Sequence, residues 1–456
     1  MDLPDKLHFI GIGGIGMSAL AEIAHSRNCH VSGSDQQNSP TTARLGKLGI
    51  SIRIGHDACL PDRNATVVIS SAIKADNPDL VAVTAAGLRI LHRSELLAMV
   101  MKGKQAITVA GTHGKTTTTA IVGHVLSQLG LDPTVIVGGN LIPSGSPVRI
   151  GASQWVVAEA DESDGSFLRY DPFVSVVTNI DRDHMEYFGS VEKLVEVFRS
   201  YINRTNEDGA AVVGWDHPRV REMCDGFSGN KLAFGMLIGC DIRGINFVPT
   251  KTGCRFSAVI ERDLVNVELP LFGKHNATNA LCALGVARAL ELDVKAAAAA
   301  LGSFAGVERR MSLVGSTSSV RIFDDYAHNP GKIAACIAAL RESVGAGELI
   351  VVYQSHRFTR LETMYDELLG SFADASRVFV LPVYSAGEKS SEDFSVKRLA
   401  TDIQRLSGVS SEGFDSFASA AAAVAARCKA NTPTTVVTIG AGNINELGPM
   451  IKERLS

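Results

Sequence analysis

A short run of glycine, lysine and threonine has the residue types that bind phosphate, and it stands where an apolar segment changes to a helical pattern. The apolar segment covers residues 107–110, and the run consists of Gly111, Thr112, His113, Gly114, Lys115, Thr116 and Thr117. In such a loop the backbone amides surround the phosphates, the lysine brings a positive charge to the β- and γ-phosphates, and the first threonine hydroxyl is a ligand for Mg²⁺. Val109 stands where the usual pattern has its first glycine, but Gly-Lys-Thr-Thr at a strand-to-helix junction is seldom accidental. The run therefore predicts a binding loop for a nucleoside triphosphate.

Acidic residues and a histidine follow two further apolar segments. Glu159 begins an acid-rich run directly after apolar residues 155–158, and His184 comes shortly after apolar residues 174–177. Because the carboxyl ends of parallel strands meet at one edge of a sheet, we expect both side chains near the phosphate loop. One carboxylate and one imidazole there could hold a second Mg²⁺. An acidic run is more often a solvated surface loop, so the metal-binding interpretation depends on the phosphate loop.

A second glycine-rich loop lies near the start of the chain. It follows a predicted strand at residues 8–10 and contains Gly11, Gly13, Gly14, Ile15 and Gly16, with Asp35 about 20 residues further on. The pattern fits the dinucleotide fingerprint, but bare amides at a helix N-terminus accept the pyrophosphate of a UDP-sugar equally well, and a glycine turn without a ligand is a third possibility. Alone, this loop favours a nicotinamide dehydrogenase. The rest of the chain reverses that order, because a dehydrogenase has no use for Lys115, Glu159 and His184.

The composition excludes several classes of protein. The 456 residues carry a formal net charge of -4, from 44 basic and 48 acidic residues, without a block of like charge that would indicate a nucleic-acid or membrane-surface partner. The 8 cysteines form no Cys-x-x-Cys pair and are interpreted as reduced packing residues. Neither an export signal nor a run of about 20 apolar residues is found in the sequence. We therefore expect a cytoplasmic protein with small-molecule partners.

The order of apolar and helical segments predicts an α/β fold with three domains. Strands alternate with helices through the first hundred residues, which is typical of a parallel sheet covered by helices. A second α/β unit begins at the strand before the phosphate loop, and closely spaced β-branched segments at residues 231–270 predict an antiparallel insertion in it. A third α/β unit occupies the rest. The predicted boundaries are 1–104 for a Rossmann-like domain, 105–306 for an ATP-binding domain and 307–456 for a second Rossmann-like domain.

Taken together, the motifs of this chain resemble those of the Mur ligase family. The resemblance covers nearly the whole chain and is carried, in order, by residues 11–18, 70–73, 111–118, 159–164, 183–185, 275–276 with Asn279, 309–310, 324–328, 356–360, 384–388 and 440–443. Eleven motifs in the right order are far more specific than any one of them. The resemblance implies an ATP-dependent ligase that needs Mg²⁺, activates the carboxylate of UDP-N-acetylmuramate as an acyl phosphate and joins it to L-alanine in peptidoglycan precursor synthesis.

The resemblance also implies roles for individual residues. Lys115, Glu159, His184 and Arg310 would be catalytic, and Thr116, Glu159 and His184 would be the metal ligands. ATP would be bound by the phosphate loop together with His275, Asn276, Arg310 and Asp325. The UDP-sugar would be bound by the first glycine loop together with Asp35, Ser70, Ser71, Asp161 and Ser163. The incoming amino acid would be bound, through its carboxylate, by His328, Arg357 and Arg360.

Other activities stay open on the sequence. A related amide ligase is the first, such as one that attaches a recycled tripeptide to the same sugar nucleotide; a nicotinamide dehydrogenase and a nucleotide-regulated binding protein without catalysis are the others. Asn329 stands where alanine-adding members of the family usually have a second histidine, which leaves the identity of the amino acid less secure than the reaction. The sequence does not distinguish a monomer from a homodimer.

Overall fold

The computed structural model describes residues 3–389, 394–428 and 432–455 of the chain. Within these residues the strands form three sheets of five, ten and six strands, and the protein is a three-domain α/β protein, as predicted. Contacts between Cα atoms group the chain into two compact units. The first contains residues 1–245, 257–267 and 278–305, and the second contains residues 246–256, 268–277 and 306–456. The domain boundaries given above stay a prediction.

The five-stranded sheet is parallel and forms the N-terminal part of the first unit. Its strands are β1 (Lys6–Ile10), β2 (His30–Asp35), β3 (Ser51–Ile54), β4 (Thr66–Ile69) and β5 (Ile90–His92), and its helices are α1 (Ile15–Ser26), α2 (Pro40–Lys47), α3 (Pro78–Ala85) and α4 (Arg93–Met101). The spatial order β3-β2-β1-β4-β5 reverses direction between β1 and β4, and ligands of such sheets bind at that switch point. The first glycine loop follows β1, and Ser70 follows β4, so both belong to this edge.

The ten-stranded sheet begins with the strand before the phosphate loop. Its strands are β6 (Gln105–Ala110), β7 (Thr134–Leu141), β8 (Ser146–Arg149), β9 (Trp155–Glu159), β10 (Val174–Val177), β11 (Ala210–Gly214), β12 (Lys231–Gly235), β13 (Ile242–Thr250), β14 (Gly253–Ile260) and β15 (Asp263–Leu269). The helices along this stretch are α5 (Lys115–Gln128), α6 (Met185–Phe188), α7 (Val191–Ile202), α8 (Pro218–Met223), α9 (Lys274–Ala289) and α10 (Val294–Leu301). The order is β15-β14-β13-β12-β11-β10-β6-β9-β7-β8, and β6 pairs in parallel with β9 and with β10. The phosphate loop therefore leaves the sheet between the ends of β9 and β10.

The prediction of antiparallel strands at residues 231–270 is wrong for the first of them. β12 pairs in parallel with β11, because the crossover through α8 returns the chain in the same direction. β13, β14 and β15 are successive neighbours joined by two-residue connections, which only antiparallel strands permit. The sheet is therefore mixed. An antiparallel pair of β7 and β8 at the opposite edge was not predicted.

The six-stranded sheet lies in the second unit. Its strands are β16 (Ser312–Ser316), β17 (Val320–Asp325), β18 (Glu348–His356), β19 (Arg377–Tyr384), β20 (Ser411–Gly413) and β21 (Thr434–Ile439). The helices are α11 (Pro330–Val344), α12 (Phe358–Thr363), α13 (Tyr365–Leu369), α14 (Val396–Ser407), α15 (Phe417–Arg427) and α16 (Leu447–Leu455). The order is β16-β17-β21-β18-β19-β20, parallel except for the antiparallel edge strand β16. Separate apolar cores cover the two faces, one including residues of α11 and α14 and the other residues of α15 and α16.

None of the helices in the described part of the chain has the length and apolar character needed to cross a membrane.

A buried carboxylate ties together the N-terminal sheet. Asp79 is 1% exposed and accepts hydrogen bonds from the Ser34 hydroxyl at 2.6 Å, from Arg53 Nη2 at 2.9 Å and from the Ala58 amide at 3.1 Å. Because a buried charge is stable only while it is paired and hydrogen-bonded, these contacts fix the residues after β3 against α3.

We predict that Asp79→Ala lowers the free energy of unfolding by about 2 to 3 kcal/mol, because it leaves the Ser34 hydroxyl and Arg53 Nη2 without their acceptor, although Arg53 Nη1 keeps its ion pair with Asp57. Arg53 is partly exposed, so the loss stays below that of a fully buried pair. Urea denaturation followed by circular dichroism measures the effect. Asp76→Ala, at an exposed position in the turn before α3, is the matched control and is expected to change stability by less than about 0.5 kcal/mol. Equal stabilities of the two variants would contradict this role for Asp79.

Candidate active site

The phosphate loop has the backbone geometry that bound phosphate requires. Gly111 has φ +129° and Gly114 has φ +84°, a region that side-chain-bearing residues rarely adopt. A Cβ atom on Gly111 would lie 2.1 Å from Thr178 Oγ1, and one on Gly114 would lie 2.8 Å from Asn279 Oδ1. Both glycines are therefore required by conformation and by close approach. The helix α5 begins at Lys115, so its first amides lie at the loop.

The segment after β10 holds the loop in this shape. The Asn179 side chain accepts the His113 amide at 2.8 Å and donates to the His113 carbonyl at 3.0 Å. Thr178 Oγ1 donates to the same carbonyl at 2.7 Å, and the Asp181 amide donates to Thr112 Oγ1 at 2.8 Å. These bonds use the polar groups of the loop that face the sheet. The loop is thus preorganised rather than dependent on a ligand for its fold.

Lys115 is held by groups on both sides. Its Nζ donates to the Gly111 carbonyl at 2.7 Å and to Glu162 Oε1 at 2.8 Å. Burial alone would lower the pKa of Lys115, but the carboxylates of Glu162, Glu159 and Asp161 keep that pKa above its ordinary value. The lysine is therefore a permanent positive charge at the mouth of the phosphate loop.

Glu159 lies beside the hydroxyl predicted to bind the metal. Its Oε2 accepts the Thr116 hydroxyl at 2.9 Å and the Gly138 amide at 2.8 Å. A hydroxyl oxygen and a carboxylate oxygen in contact are the hard ligands that Mg²⁺ uses when it also takes phosphate and water. No group of three or more His, Cys, Asp or Glu that could hold a metal occurs among the residues that the structure describes. The residues present thus fit a magnesium ion shared with a nucleotide better than a cage made wholly of protein.

His184, the other predicted metal ligand, stands at the start of α6. Its φ of +55° lies in the left-handed region, which is uncommon for a residue with a side chain. Its amide donates to Asp183 Oδ1 at 3.0 Å, and its ring Nε2 lies 4.0 Å from the same carboxylate. Strain at a residue of this type is consistent with a functional constraint.

The first glycine loop forms the expected turn after β1. The Gly13 amide donates to Asp35 Oδ2 at 2.8 Å, and a Cβ on Gly13 would lie equally close to that oxygen. Asp35 therefore lies against the loop itself, at the end of β2. Gly11 and Ile12 donate to the Ser34 carbonyl, which fixes the turn, and Gly14 is the N-cap of α1.

The acid-rich run after β9 also contacts the N-terminal domain. Arg93 Nη2 donates to Asp161 Oδ2 at 2.8 Å, and the Ser71 hydroxyl donates to Asp164 Oδ2 at 2.8 Å. The Ser163 amide donates back to Asp161 Oδ1, which closes a tight turn. Arg93 also lies near the first glycine loop, since a Cβ on Gly16 would be 3.6 Å from Arg93 Nη1. The structure thus joins the two predicted UDP-sugar elements, the loop of the first domain and residues 161–163, through Arg93.

In the second unit, Arg310 lies in a strained loop. Its neighbours Arg309 and Met311 have φ of +59° and +46°, both left-handed. Asp324 accepts Arg309 Nε at 3.2 Å, and Asp325 accepts the Met311 amide at 2.8 Å and the Ala327 amide at 2.8 Å. Both acids are buried, and they hold the backbone on each side of Arg310. Asp325, predicted to contact a ribose, already has one hydrogen bond to each carboxylate oxygen.

His328 is held in one tautomer. Its Nδ1 lies 2.9 Å from the Tyr326 carbonyl, which can only accept, so Nδ1 carries the hydrogen when the ring is neutral. Burial, together with the positive charges of Lys332 and Arg360, lowers the pKa of His328 to about 3, so the ring is neutral at pH 7. The remaining nitrogen, Nε2, then presents a lone pair.

Arg357 and Arg360, the predicted contacts of the amino-acid carboxylate, lie at the start of α12. Arg357 is exposed, has φ of +68° and donates its amide to the Tyr384 carbonyl at 2.8 Å. Arg360 Nη1 lies 3.4 Å from His356 Nδ1, and the His356 ring is stacked on Tyr384. Burial and then the charges of Arg360 and Arg357 lower the pKa of His356 to about 4. Arg360 therefore has a neutral imidazole beside it, whereas the acid Glu388, which accepts the Thr359 amide at 3.1 Å, lies near Arg357.

The predicted adenine contacts lie at the start of α9. His275 is exposed, and Asn276 is buried and donates its Nδ2 to the Phe272 carbonyl at 2.9 Å. Because the side-chain amide is planar, that bond also fixes the direction of the Asn276 side-chain oxygen. Asn279, one turn further along the same helix, is the residue that lies against Gly114 of the phosphate loop.

Sequence reasoning assigned no role to four residues, namely Arg93, Asn279 and Glu162 in the first unit and Gln354 in the second, although Asn279 and Glu162 stand in motifs of the resemblance. Gln354 is 5% exposed and lines, with Tyr384, Ser385 and Asn443, a cavity of about 380 Å³ at the carboxyl edge of the third sheet. The position of Arg93 directly after β5 is a signal that could have been used, since a cation at that edge suits an anionic ligand. The burial of Glu162 and Gln354, and the pairing of Glu162 with Lys115, have no signal in the sequence.

Two glycine loops on separate sheets, one of them with an adjacent lysine, hydroxyl and carboxylate, are typical of an α/β enzyme that acts on phosphorylated small molecules. Comparison with known families gives the same class. The model of the Mur ligase family catalytic domain matches residues 6–105, that of the Mur ligase middle domain matches residues 109–287, and that of the Mur ligase glutamate ligase domain matches residues 309–442.

Individual relatives match over the full length. A UDP-N-acetylmuramate–L-alanine ligase of Chelativorans sp. is 40% identical over 98% of this chain and 98% of its own. One of Methylobacterium radiotolerans is 38% identical over 100% and 99%. Among solved structures, a UDP-N-acetylmuramate-alanine ligase from Thermotoga maritima superposes with a TM-score of 0.84 at 27% identity, covering 98% of both chains. A murein peptide ligase from Psychrobacter arcticus, at 22% identity and a TM-score of 0.71, shares the fold.

The chain therefore belongs to the Mur ligase family, as its motifs indicated. It is an ATP-dependent ligase that forms an amide bond between an acid and an amine.

The close approach of Gly138 to Glu159 gives a test of the metal site. A Cβ at Gly138 would lie 2.5 Å from Glu159 Oε2, so Gly138→Ala must displace that carboxylate. We predict that the Mg²⁺ concentration for half-maximal activity rises about tenfold, which is typical when a ligand loses its support. Magnesium titration of phosphate release measures it. Gly46→Ala, at a helical position with no atom within 4 Å of the added Cβ, is the control. An unchanged magnesium titration in Gly138→Ala would remove Glu159 from the ligand set.

Proposed function

We propose that this chain joins L-alanine to UDP-N-acetylmuramate with hydrolysis of ATP to ADP, through an acyl phosphate, in peptidoglycan precursor synthesis. The observation that carries the proposal is the phosphate loop, with Lys115 and Thr116 in contact with carboxylates of the run after β9. A dehydrogenase has no role for that arrangement. The proposed substrates are those in the names of the full-length relatives given above.

The chemistry explains why a phosphate loop is needed. A carboxylate does not condense with an amine in water at pH 7, because hydroxide is a poor leaving group. In the proposed reaction the donor carboxylate attacks the γ-phosphate in line, ADP leaves, and the amine then displaces phosphate from the acyl phosphate through a tetrahedral intermediate. Lys115 stabilises the charge that develops on the transferred phosphoryl group, and Arg310 is proposed for the same γ-phosphate.

Mg²⁺ is proposed as the metal. Thr116 and Glu159 would hold it, with His184 as the proposed ligand of a second ion, and the metal would supply charge neutralisation at the phosphates. The fixed position of Glu159, which accepts both Thr116 and the Gly138 amide, is what supports its inclusion.

The remaining ATP contacts are proposed for the loop residues Gly111 to Thr117 and for His275, Asn276 and Asp325. Asn279 is added to them, because its side chain meets the loop at Gly114. Asp325 could contact a ribose only while it also holds the backbone beside Arg310.

For the UDP-sugar we propose the first glycine loop with Asp35, Ser70, Ser71, Asp161 and Ser163. Arg93 is added as the cation of this set. It lies 3.6 Å from the position of a Cβ on Gly16, where a pyrophosphate at the start of α1 would need a positive partner. Its ion pair with Asp161 keeps it oriented.

For the amino acid we propose that Arg357 and Arg360 bind the carboxylate. His328 is better suited to the other end of the molecule. With Nδ1 engaged by Tyr326, Nε2 can accept a hydrogen from the ammonium group but cannot donate to a carboxylate. This neutral acceptor would orient the amine for its attack on the acyl phosphate.

The domain division 1–104, 105–306 and 307–456 is part of the proposal, with a UDP-sugar domain, an ATP domain and an amino-acid domain. A cytoplasmic location follows from the use of ATP and a nucleotide sugar as substrates.

The first experiment measures which acceptor supports turnover. Phosphate release is followed with ATP, Mg²⁺ and UDP-N-acetylmuramate, and with L-alanine, glycine, L-serine or a tripeptide containing meso-diaminopimelate as acceptor. We predict the highest kcat/KM for L-alanine and no sustained turnover when either the sugar nucleotide or the acceptor is left out. A preference for the tripeptide would instead identify a peptide-recycling ligase. Fast ATP hydrolysis in the absence of both the sugar nucleotide and the acceptor would contradict the proposed reaction.

The proposed binding of the amino-acid carboxylate by Arg360 is tested with Arg360→Ala. Loss of one charge-assisted hydrogen bond costs roughly 1.5 to 3 kcal/mol, or about a 10- to 150-fold loss of affinity. We therefore predict that KM for L-alanine rises at least about tenfold, with smaller changes for ATP and the UDP-sugar. Arg360→Lys is expected to keep only part of the affinity for L-alanine, because lysine lacks the planar guanidinium group with its paired donors. Arg405→Ala, at an exposed position on α14, is the control. An effect that falls mainly on ATP would assign Arg360 to phosphate instead.

A further inference from the structure

Glu162 is a buried carboxylate next to the phosphate loop that none of the proposed roles uses. Its side chain is 2% exposed. One oxygen, Oε1, lies 2.8 Å from Lys115 Nζ, and the other, Oε2, is buried without a hydrogen-bond partner among the described residues. A buried charge with an unsatisfied oxygen is costly, so it persists where it has a function or strong compensation.

The position of Glu162 is imposed by its neighbours in the chain. Asp161 is paired with Arg93, and Asp164 accepts the Ser71 hydroxyl, so the chain is anchored on both sides of Glu162. The Glu162 carbonyl accepts the Gly165 amide at 2.9 Å, which closes the turn. The carboxylate therefore cannot withdraw from Lys115 by movement of this segment alone.

The contact places Lys115 where the loop needs it. The ammonium is shared between Glu162 and the Gly111 carbonyl, the first residue of the loop, at 2.8 and 2.7 Å. A lysine without these acceptors has several rotatable bonds and would sample many conformations. The same carboxylate competes with a triphosphate for the ammonium, because both are anions that bind the same donor.

We propose that Glu162 is a positioning residue for Lys115. In the absence of nucleotide it holds the Lys115 ammonium over the phosphate loop, and a bound triphosphate must take that ammonium from the Glu162 carboxylate. This inference rests on the proposed function only in that ATP binds the phosphate loop. Glu162 acts through Lys115 and does not itself contact the reacting atoms. The negative charge of Glu162 therefore weakens ATP binding, but it keeps Lys115 in position before ATP binds.

The test measures ATP binding without the UDP-sugar, so that no turnover occurs, by calorimetry in the presence of Mg²⁺. Inorganic triphosphate serves as a second probe that lacks the base and ribose. The variants are Glu162→Gln, which keeps an oxygen that can accept from Lys115 but removes the charge, and Glu162→Ala, which removes both. Glu196→Gln, at an exposed position on α7, is the matched control for loss of one negative charge.

Glu162→Gln is expected to bind ATP and triphosphate at least about fivefold more tightly than the parent, because the competing anion is gone. In a separate assay of phosphate release with all three substrates, Glu162→Ala is expected to lower kcat at least about tenfold, because the lysine loses its placement. In a Lys115→Met background, Glu162→Gln should change the Kd for ATP by less than about twofold, since the effect passes through the lysine.

Several results would overturn the inference. An unchanged or weaker Kd in Glu162→Gln would show that the carboxylate does not compete for the lysine. An equal effect with and without Lys115 would show direct repulsion of the phosphates instead. A kcat of Glu162→Ala equal to that of the parent would show that Lys115 needs no such support. If Glu162→Ala does not fold, Glu162→Gln and the Lys115→Met background decide the question alone. Failure of the parent to bind ATP or triphosphate would instead count against the phosphate loop, and so against the proposed function.

Discussion

Parallel strands bring all of their carboxyl ends to one edge of a sheet, and the phosphate contacts proposed for the two glycine loops depend on that geometry. The phosphate loop leaves β6 between β9 and β10, so the side chains after those two strands surround it. Thr178 and Asn179 shape the loop from one side, and Glu159 approaches from the other. The first sheet repeats the arrangement at β1, β2 and β4. One principle of sheet construction thus accounts for both nucleotide loops.

The electrostatics of the central site follow from the same arrangement. The acid-rich run that begins at the last residue of β9 contains four acids, and their side chains contact two different parts of the first unit. Glu159 and Glu162 face Thr116 and Lys115 of the phosphate loop, while the other two acids, Asp161 and Asp164, pair with Arg93 and Ser71. A single turn of chain therefore contacts the elements proposed for ATP and for the UDP-sugar. A change in the contacts with the phosphate loop can therefore shift the backbone that also carries the contacts with Arg93 and Ser71. This shared backbone is a physical route for coupling between the two ligands.

Several of the strained backbone positions of the described chain lie at or beside proposed functional residues. His184, Arg309, Met311 and Arg357 all have left-handed φ, although none is a glycine. Each such residue costs of order 1 to 3 kcal/mol and persists only when its surroundings determine it. Around Arg310 the compensation is visible, because Asp324 and Asp325 hold the strained residues on both sides. The strain orients a side chain that a relaxed loop would leave mobile.

The sequence by itself determined the three α/β domains, the two glycine loops and the family, because strand-helix alternation and glycine at fixed spacing are local properties of the chain. It also indicated Lys115, Thr116 and Glu159, which directly follow predicted elements. It was wrong on the direction of β12, since pairing depends on how α8 crosses rather than on local composition. Only the tertiary structure decided the tautomer of His328, the approach of Asn279 and Arg93 to the loops, and the pairing of Glu162 with Lys115. Those features depend on distances between residues far apart in the chain, and burial of a charge is set by what packs around it rather than by its sequence neighbours.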